Sequence, residues 1–324
     1  MPEVSVQAHG RVHVALIDLG RATPRAYGGC GFAIEAPVVR VHARPGTSLA
    51  LNYVGTLDDR GREDVGDALT RLAKHVGHPI DAELAIDGWI PQHVGLGTKT
   101  ALLLALLDAT NRALELSLSD SELQSLSGRG GTSGVGIRTY FRGGFVLDAG
   151  HAQRLVPTLA PSSSRLAPCH PPMLTWAPFP RHWRVTLLTA PGPRIHGEDE
   201  LAFFAAATPL PVEEVLRVLA LVHHGVAPAF LEQDFERLRS ALLELHQVGF
   251  KAHELAHQSG SVKAALRDCW DHGLVAGLSS MGPTIYTITS SEDDSTVVLE
   301  AIARTHGIAL SGPLLACNTG AQVT

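Results

Sequence analysis

The sequence predicts an α+β protein in two domains. Three observations carry that expectation. Residues 3–55 read as successive strands before any helix, and beyond them strands and helices alternate. A Gly-rich turn, Gly95-Leu96-Gly97-Thr98-Lys99-Thr100, joins a strand to an apolar helix. A Pro-rich stretch divides the chain: prolines 157, 161, 168, 171, 172, 178 and 180 with Ser162, Ser163 and Ser164 suit an extended connector. We therefore expect one domain over 1–160, a connector over 161–180 and a second domain over 181–324.

Length and charge bound the function. At 324 residues the chain suits two domains. A net charge of -6 without a basic cluster argues against a nucleic-acid face. No basic segment followed by an apolar run opens the chain, and the apolar runs fall short of a membrane span. The expectation is a cytoplasmic protein without a membrane partner. Cys30, Cys169, Cys269 and Cys317 are scattered without a CxxC pair, which suits free thiols better than zinc.

The elements follow in order. Residues 3–18 alternate, with Val12, Val14 and Leu16 on one face, and end at Asp18. A loop with Gly20, Pro24, Gly28 and Gly29 leads to a strand from Gly31 to Val41. Glu35 stands among apolar neighbours there, on a surface face or pointing into a site. Thr47 to Gly55 reads as a third strand. Asp64 to Val76 carries Val65, Leu69, Leu72 and Val76 at helical spacing. Ala82 to Trp89 alternates like a half-buried strand.

After it, Pro91-Gln92-His93-Val94-Gly95-Leu96-Gly97-Thr98 enters the apolar helix that starts with Ala101-Leu102-Leu103-Leu104. Strand, turn and helix aim free N–H groups at one point, where a helix N-terminus holds phosphate. Gly95, Leu96, Gly97, Thr98 and Thr100 are thus candidate phosphate ligands. Neither the P-loop nor the dinucleotide fingerprint fits: Thr98 precedes Lys99, and Thr100 stands where a third Gly is needed. Lys99 opposes the helix dipole, so either an anion compensates it or its stem reaches water.

Ser119 and Glu122 form a capping box for a further helix. Gly128 to Gly136 is a second Gly-rich loop, and Phe145 to Asp148 a strand. Asp148 is a strand-end cap or a metal ligand. Past the connector we expect a strand at Trp183 to Thr189 and a turn at Pro191 to Gly197. Helices are expected from Glu198, over Val212 to His223, Leu231 to Leu245 and Val262 to Trp270. A third turn, Gly277 to Thr284, enters the strand Ile285 to Ile288. Val297 to Thr305 is a helix, and a short strand closes the chain. His151 and His196 flank turns and read as structural.

Three such turns resemble the GHMP kinase superfamily, whose Pro-xxx-Gly-Leu-Gly-Ser-Ser motif is matched by Pro91 to Thr98 with Thr98-Lys99 in place of Ser-Ser. Ser279-Ser280-Met281-Gly282-Pro283-Thr284 is similar to the last family motif in its homoserine-kinase form. The resemblance implies a first domain like that of ribosomal protein S5, a ferredoxin-like second domain and a substrate cleft between them. Several of these kinases carry Ser-Gly-hydrophobic-Asp, whose Asp is the base. Here Ser133-Gly134-Val135 is followed by Gly136, which accepts no proton.

A different branch fits better. Arg11-Val12-His13, Ile17-Asp18-Leu19, Gly29 to Glu35, the Gly95 turn, Gly128 to Gly134 and His196-Gly197-Glu198 resemble the β-ribofuranosylaminobenzene 5'-phosphate synthase family of methanopterin biosynthesis. That resemblance implies transfer from phosphoribosyl pyrophosphate to 4-aminobenzoate or 4-hydroxybenzoate, releasing CO2 and pyrophosphate, with Mg2+ as cofactor. It leaves a homodimer open. In such a site Lys99, with Ser133 and Gly134 beside the first turn, would meet the phosphates. Asp18 or Glu35 would stabilise positive charge at C1. Arg25 or Arg129 would bind the arene carboxylate, with Ser279 and Ser280 also facing substrate.

Overall fold

The computed structural model describes residues 3–89, 93–164, 166–192, 194–195, 197–291 and 295–324. Pro91, Gln92, Pro193 and His196 lie outside the described residues. The chain opens with three strands, β1 (Val4–Asp18), β2 (Arg25–Pro45) and β3 (Ala50–Thr56). Helix α1 (Asp59–Val76) and strand β4 (Ala82–Trp89) follow. Then come helices α2 (Thr98–Ala113), α3 (Asp120–Ser127) and α4 (Val135–Arg142), and strands β5 (Phe145–Asp148), β6 (His151–Ala152) and β7 (Met173–Ala177). The second half holds β8 (Trp183–Thr189), α5 (Gly197–Ala207), α6 (Val212–Ala220), α7 (Ala227–Glu232), α8 (Phe235–Leu245), α9 (Gly249–His257) and α10 (Gly260–Asp271). It closes with β9 (Val275–Leu278), β10 (Thr284–Ser290), α11 (Thr296–His306), β11 (Ala309–Leu314) and β12 (Gln322–Val323).

The α+β expectation holds, with two sheets. In the first the order is β12-β1-β2-β4-β3, and β5 pairs with β2 and with β7. Only β3 and β4 run parallel among its described pairs. The second is antiparallel in the order β11-β8-β10-β9. Helix α2 lies against β1 and β2, and all its residues but Lys99 and Arg112 are buried. A helix apolar on every side is stable only in that central position.

Several boundaries differ from the expectation for visible reasons. Helix α1 begins at Asp59 rather than Asp64, because the Asp58 carboxylate accepts from the Gly61 N–H and caps it. Strand β2 takes in Gly28 and Gly29, read as loop. A Cβ at Gly29 would lie 2.7 Å from the Ala15 carbonyl oxygen, so only glycine lets β1 and β2 meet there. Helix α4 starts inside the second Gly-rich stretch, and the connector carries β7. Val212–Glu232 is helical throughout, with a π turn at Leu221–Val226. By length and composition alone this run is long and apolar enough to cross a membrane, as the core helix of a soluble protein also can be. Its face Val215, Val218, Val222, Val226 and Phe230 is buried against the sheets.

The two sheets share a core. Phe145 of β5 stacks on Phe230 of α7 with ring centres 4.3 Å apart, and Phe32 of β2 packs on Phe179, Phe230 and Tyr286. After β11 the chain returns to the first sheet. Ile34 bridges Ala316, and β12 pairs with β1.

Candidate active site

The Gly-rich turn before α2 is clasped from two sides. The Arg11 N–H donates to the Leu96 carbonyl, and the Arg11 guanidinium donates to the Gly95 carbonyl at 2.5 Å. The Ser279 hydroxyl also donates to Gly95 O and accepts from the His13 N–H. Gly95 and Gly97 have φ of +89° and +70°, a region that favours glycine. The first turn of α2 receives no side-chain cap, so its partial positive charge faces the cleft.

That cleft has two connected parts. The outer part, about 140 Å³, is lined by Gly95 to Lys99 with Arg60 and Gly282. The inner part, about 80 Å³, is lined by His13, Thr100, Thr132, Ser133, Gly136, Phe204 and Glu254. Arg11, Arg129, Glu200, Ser280 and Met281 belong to both. Burial lowers the Arg11 pKa to about 10, and the neighbouring Arg129 charge adds to the shift. Burial lowers that of Arg129 too, against Asp64 and Glu200. The Arg129 guanidinium donates to Thr100 Oγ1 at 3.2 Å, while Arg11 Nε is buried without a hydrogen-bond partner. Two crowded guanidiniums beside an uncapped helix end make a receptor for a polyanion.

The candidate residues divide. Gly95, Leu96, Gly97, Thr98, Lys99, Thr100, Arg129, Ser133 and Ser280 all line the cleft. Lys99 does not reach for water: it pairs with Asp64 of α1 at 2.6 Å, and this carboxylate is the anion that offsets the helix dipole. Burial lowers the Lys99 pKa, which the Asp64 bond opposes.

The other candidates are engaged elsewhere in the structure. Asp18 accepts from the N–H groups of Gly20, Ala22 and Thr23 and from the Thr23 hydroxyl, so it builds its own loop. Glu35 accepts from the Leu315 N–H, tying down the chain after β11. Arg25 donates to the Ala149 and Gly150 carbonyls. Gly134 gives its N–H to Asp148, which also accepts from the Ser133 hydroxyl and the Gly150 N–H. Asp148 thereby ties the N-cap residue of α4 to Ser133 and Gly150, and α4, like α2, has no side-chain cap. Burial raises the Asp148 pKa to about 6 against those three bonds. Ser279 is a clasp on the turn, fully buried, and Ser280 alone of that pair lines the cleft.

Sequence reasoning noted Arg11 and His13 only as part of a family segment and gave no site role to them or to Glu200 and Glu254. Arg11 was readable as a lone cation in an apolar strand. His13 is neutral: burial, with Arg11 and Lys251 near it, drops its pKa well below the usual value. Glu254 and its partner Lys251 sit on α9, a helix with no strong apolar period, so nothing local marked them. Among the described residues no group of three His, Cys, Asp or Glu stands together as a metal site.

Known proteins are similar to this chain in sequence and in fold. The family described as GHMP kinases N terminal domain matches residues 64–139. The beta-ribofuranosylphenol 5'-phosphate synthase of Archaeoglobus fulgidus is 33% identical over 87% of this chain and 86% of its own. That of Methanothermobacter thermautotrophicus is 29% identical over 90% of each. Among solved structures, homoserine kinase from Cytophaga hutchinsonii superposes with a TM-score of 0.71 over 99% of this chain and 97% of its own, at 15% identity, which shows a common fold.

Proposed function

The chain belongs to the beta-ribofuranosylphenol 5'-phosphate synthase family, a branch of the GHMP kinase fold, and from that premise we propose how its cleft works. The reaction joins phosphoribosyl pyrophosphate to a 4-substituted benzoate, in methanopterin biosynthesis. The relatives' name speaks of a phenol, and a phenol product requires 4-hydroxybenzoate; 4-aminobenzoate would give the aniline. The bond from C1 of the ribose to the pyrophosphate oxygen breaks, and its electron pair leaves on that oxygen. The ring carbon bearing the carboxylate attacks C1. Its bond to the carboxylate then breaks, the pair restores the aromatic ring, and CO2 departs.

The observation that carries this reading is Gly136 on the wall of the inner cleft. A phosphoryl transfer to an alcohol wants a base there, and glycine has none. Transfer from C1 needs none, because nothing is deprotonated. An ATP-dependent kinase of the same superfamily is accordingly not favoured. The pyrophosphate fits the outer cleft, at the α2 N-terminus with Arg11, Arg129 and Lys99 around it. Its charge is what makes the crowding of those cations tolerable.

A Mg2+ ion would neutralise further charge on the leaving group. Mg2+ binds through one or two carboxylates and otherwise through phosphate oxygens and water. Glu200, on the wall of both parts of the cleft, suits that role, and Asp148 does not because its oxygens already accept three hydrogen bonds. The test is incubation with phosphoribosyl pyrophosphate, each benzoate and Mg2+, followed by mass spectrometry. We expect the C-riboside phosphate and one CO2 per pyrophosphate. Phosphorylation of a sugar or amino alcohol by ATP at ~1 s⁻¹ or faster would overturn the reading.

A further inference from the structure

We infer that Glu254 is the carboxylate that stabilises positive charge at C1 of the ribose, and that Lys251 positions it. This rests on the reaction proposed above and gives to a carboxylate in the cleft wall the role expected of Asp18 or Glu35. Glu254 belongs to α9 and lines the inner cleft, yet is only 3% exposed. Its Oε2 pairs with Lys251 Nζ at 2.6 Å. Lys251, equally buried, spends a second hydrogen bond on the Leu278 carbonyl at 3.0 Å. The ammonium is thus fixed from two directions and holds the carboxylate in one orientation.

Electrostatics decides what such a group can face. A buried ion pair gains little over an apolar pair of the same volume, so its worth must be sought in what it touches. The cleft is built for anions: Arg11, Arg129 and Lys99 surround it. A fixed carboxylate in that cleft repels pyrophosphate and benzoate alike. It favours only a part of the substrate that becomes positive. In this reaction that part is the ribose C1 and ring oxygen, once the pyrophosphate has left. Glu254 lines the inner part of the cleft together with Arg11 and is absent from the wall of the outer part, where Gly95 to Lys99 stand. A ribosyl group with its pyrophosphate at α2 would extend into the inner part toward Glu254. Nearby His13, held neutral, adds no competing cation. The other cleft carboxylate, Glu200, accepts from the Ser163 hydroxyl in the outer rim and is more exposed.

The test uses the full chain and three variants. Glu254→Gln removes the charge at constant shape. The double variant Lys251→Met with Glu254→Gln removes both partners and leaves no lone buried ammonium. Glu254→Asp keeps the charge and draws it back by one methylene. Two readouts are taken: kcat with phosphoribosyl pyrophosphate and 4-hydroxybenzoate, and calorimetric affinity for inorganic pyrophosphate. We expect kcat to fall on the order of 10²–10³-fold in Glu254→Gln and in the double variant, as for other lost electrostatic partners of a transition state. Glu254→Asp should lose at least tenfold. Pyrophosphate affinity should be equal or tighter in the two single variants, because a repulsive charge is gone or further away, and unchanged in the double variant, where one charge of each sign is lost.

Any variant of Glu254 with kcat within a few-fold of wild type overturns the inference, and so does pyrophosphate binding that weakens in step with kcat, since the pair would then be scaffolding for the anion site. Failure of the wild type to turn over either benzoate would instead remove the functional reading on which the inference stands.

Discussion

Single side chains here answer to two demands, packing and charge, and the outcome is decided by neighbours far off in sequence. Lys99 shows it. From the helix it begins, this lysine looks electrostatically misplaced, but Asp64 of α1 lies 2.6 Å away. Lys99→Met therefore leaves a carboxylate without its partner, and urea unfolding should show a loss of ~0.5–1 kcal/mol rather than a gain. Asp64→Asn should cost a similar amount, and the double variant less than the sum. His246 carries a second prediction. It is fully enclosed, donating from Nδ1 to the Leu242 carbonyl and accepting at Nε2 from the Leu278 N–H, and burial lowers its pKa to about 3. The unfolded chain protonates this residue below about 6.5, so between the two values the unfolded state binds more protons. Stability must then fall as the pH drops below 6.5, by at most ~1.4 kcal/mol per pH unit for this group. His13 adds in the same direction. Unfolding at pH 7 and pH 5 should show a shallower pH slope in His246→Gln. An unchanged slope would exclude His246 as a source.

Among the elements, those with a strong local pattern were legible. Strand β4, the burial of α2 and the Ser119–Glu122 capping box are all present as read. The turn before α2 was legible too, because its glycines and its helix declare themselves within ten residues. Asp18 and Glu35 misled because a carboxylate in an apolar stretch looks the same whether it meets substrate or a backbone N–H. Which of these happens depends on Thr23 and Leu315, and the latter lies far along the chain. Helix α9 was missed for the opposite reason: Lys251 and Glu254, polar and three residues apart, occupy its buried face. At the element scale the turn itself is testable. A Cβ at Gly97 would come within 2.9 Å of Cγ and Nε of Arg11. Gly97→Ala should therefore displace that guanidinium and cost ~1–2 kcal/mol of backbone strain. We expect calorimetry to show pyrophosphate affinity at least tenfold weaker while circular dichroism keeps its native form. Wild-type affinity would make the turn purely structural.

For the whole molecule, the resemblance supplied what pattern alone did not, the pairing of the two sheets around one cleft. The packing between them has its own consequence. Phe32 and Phe145 of the first sheet share rings with Phe230 and Tyr286 of the second half, and the Asn318 side chain bonds both the N–H and the carbonyl of Phe179. Each half has a core cluster of its own, and two further clusters draw on both halves, so neither half covers all its apolar surface alone. Calorimetry should record one unfolding transition, and residues 1–180 expressed by themselves should lack a native near-ultraviolet spectrum. Two separate transitions would show independent halves.

The pairing of β12 with β1 matters also during synthesis. Val6 lies opposite Val323, and Ser5 exchanges backbone hydrogen bonds with Thr324. The ribosome delivers these partners far apart in time, because Val6 and Val323 are separated by most of the chain described here. At ~5–20 residues per second, β1 waits tens of seconds with that edge unpaired. An unpaired edge strand is a template for other chains. Crowded polysomes and overexpression hosts should thus be where this protein aggregates most, and a slowed translation rate should worsen the loss.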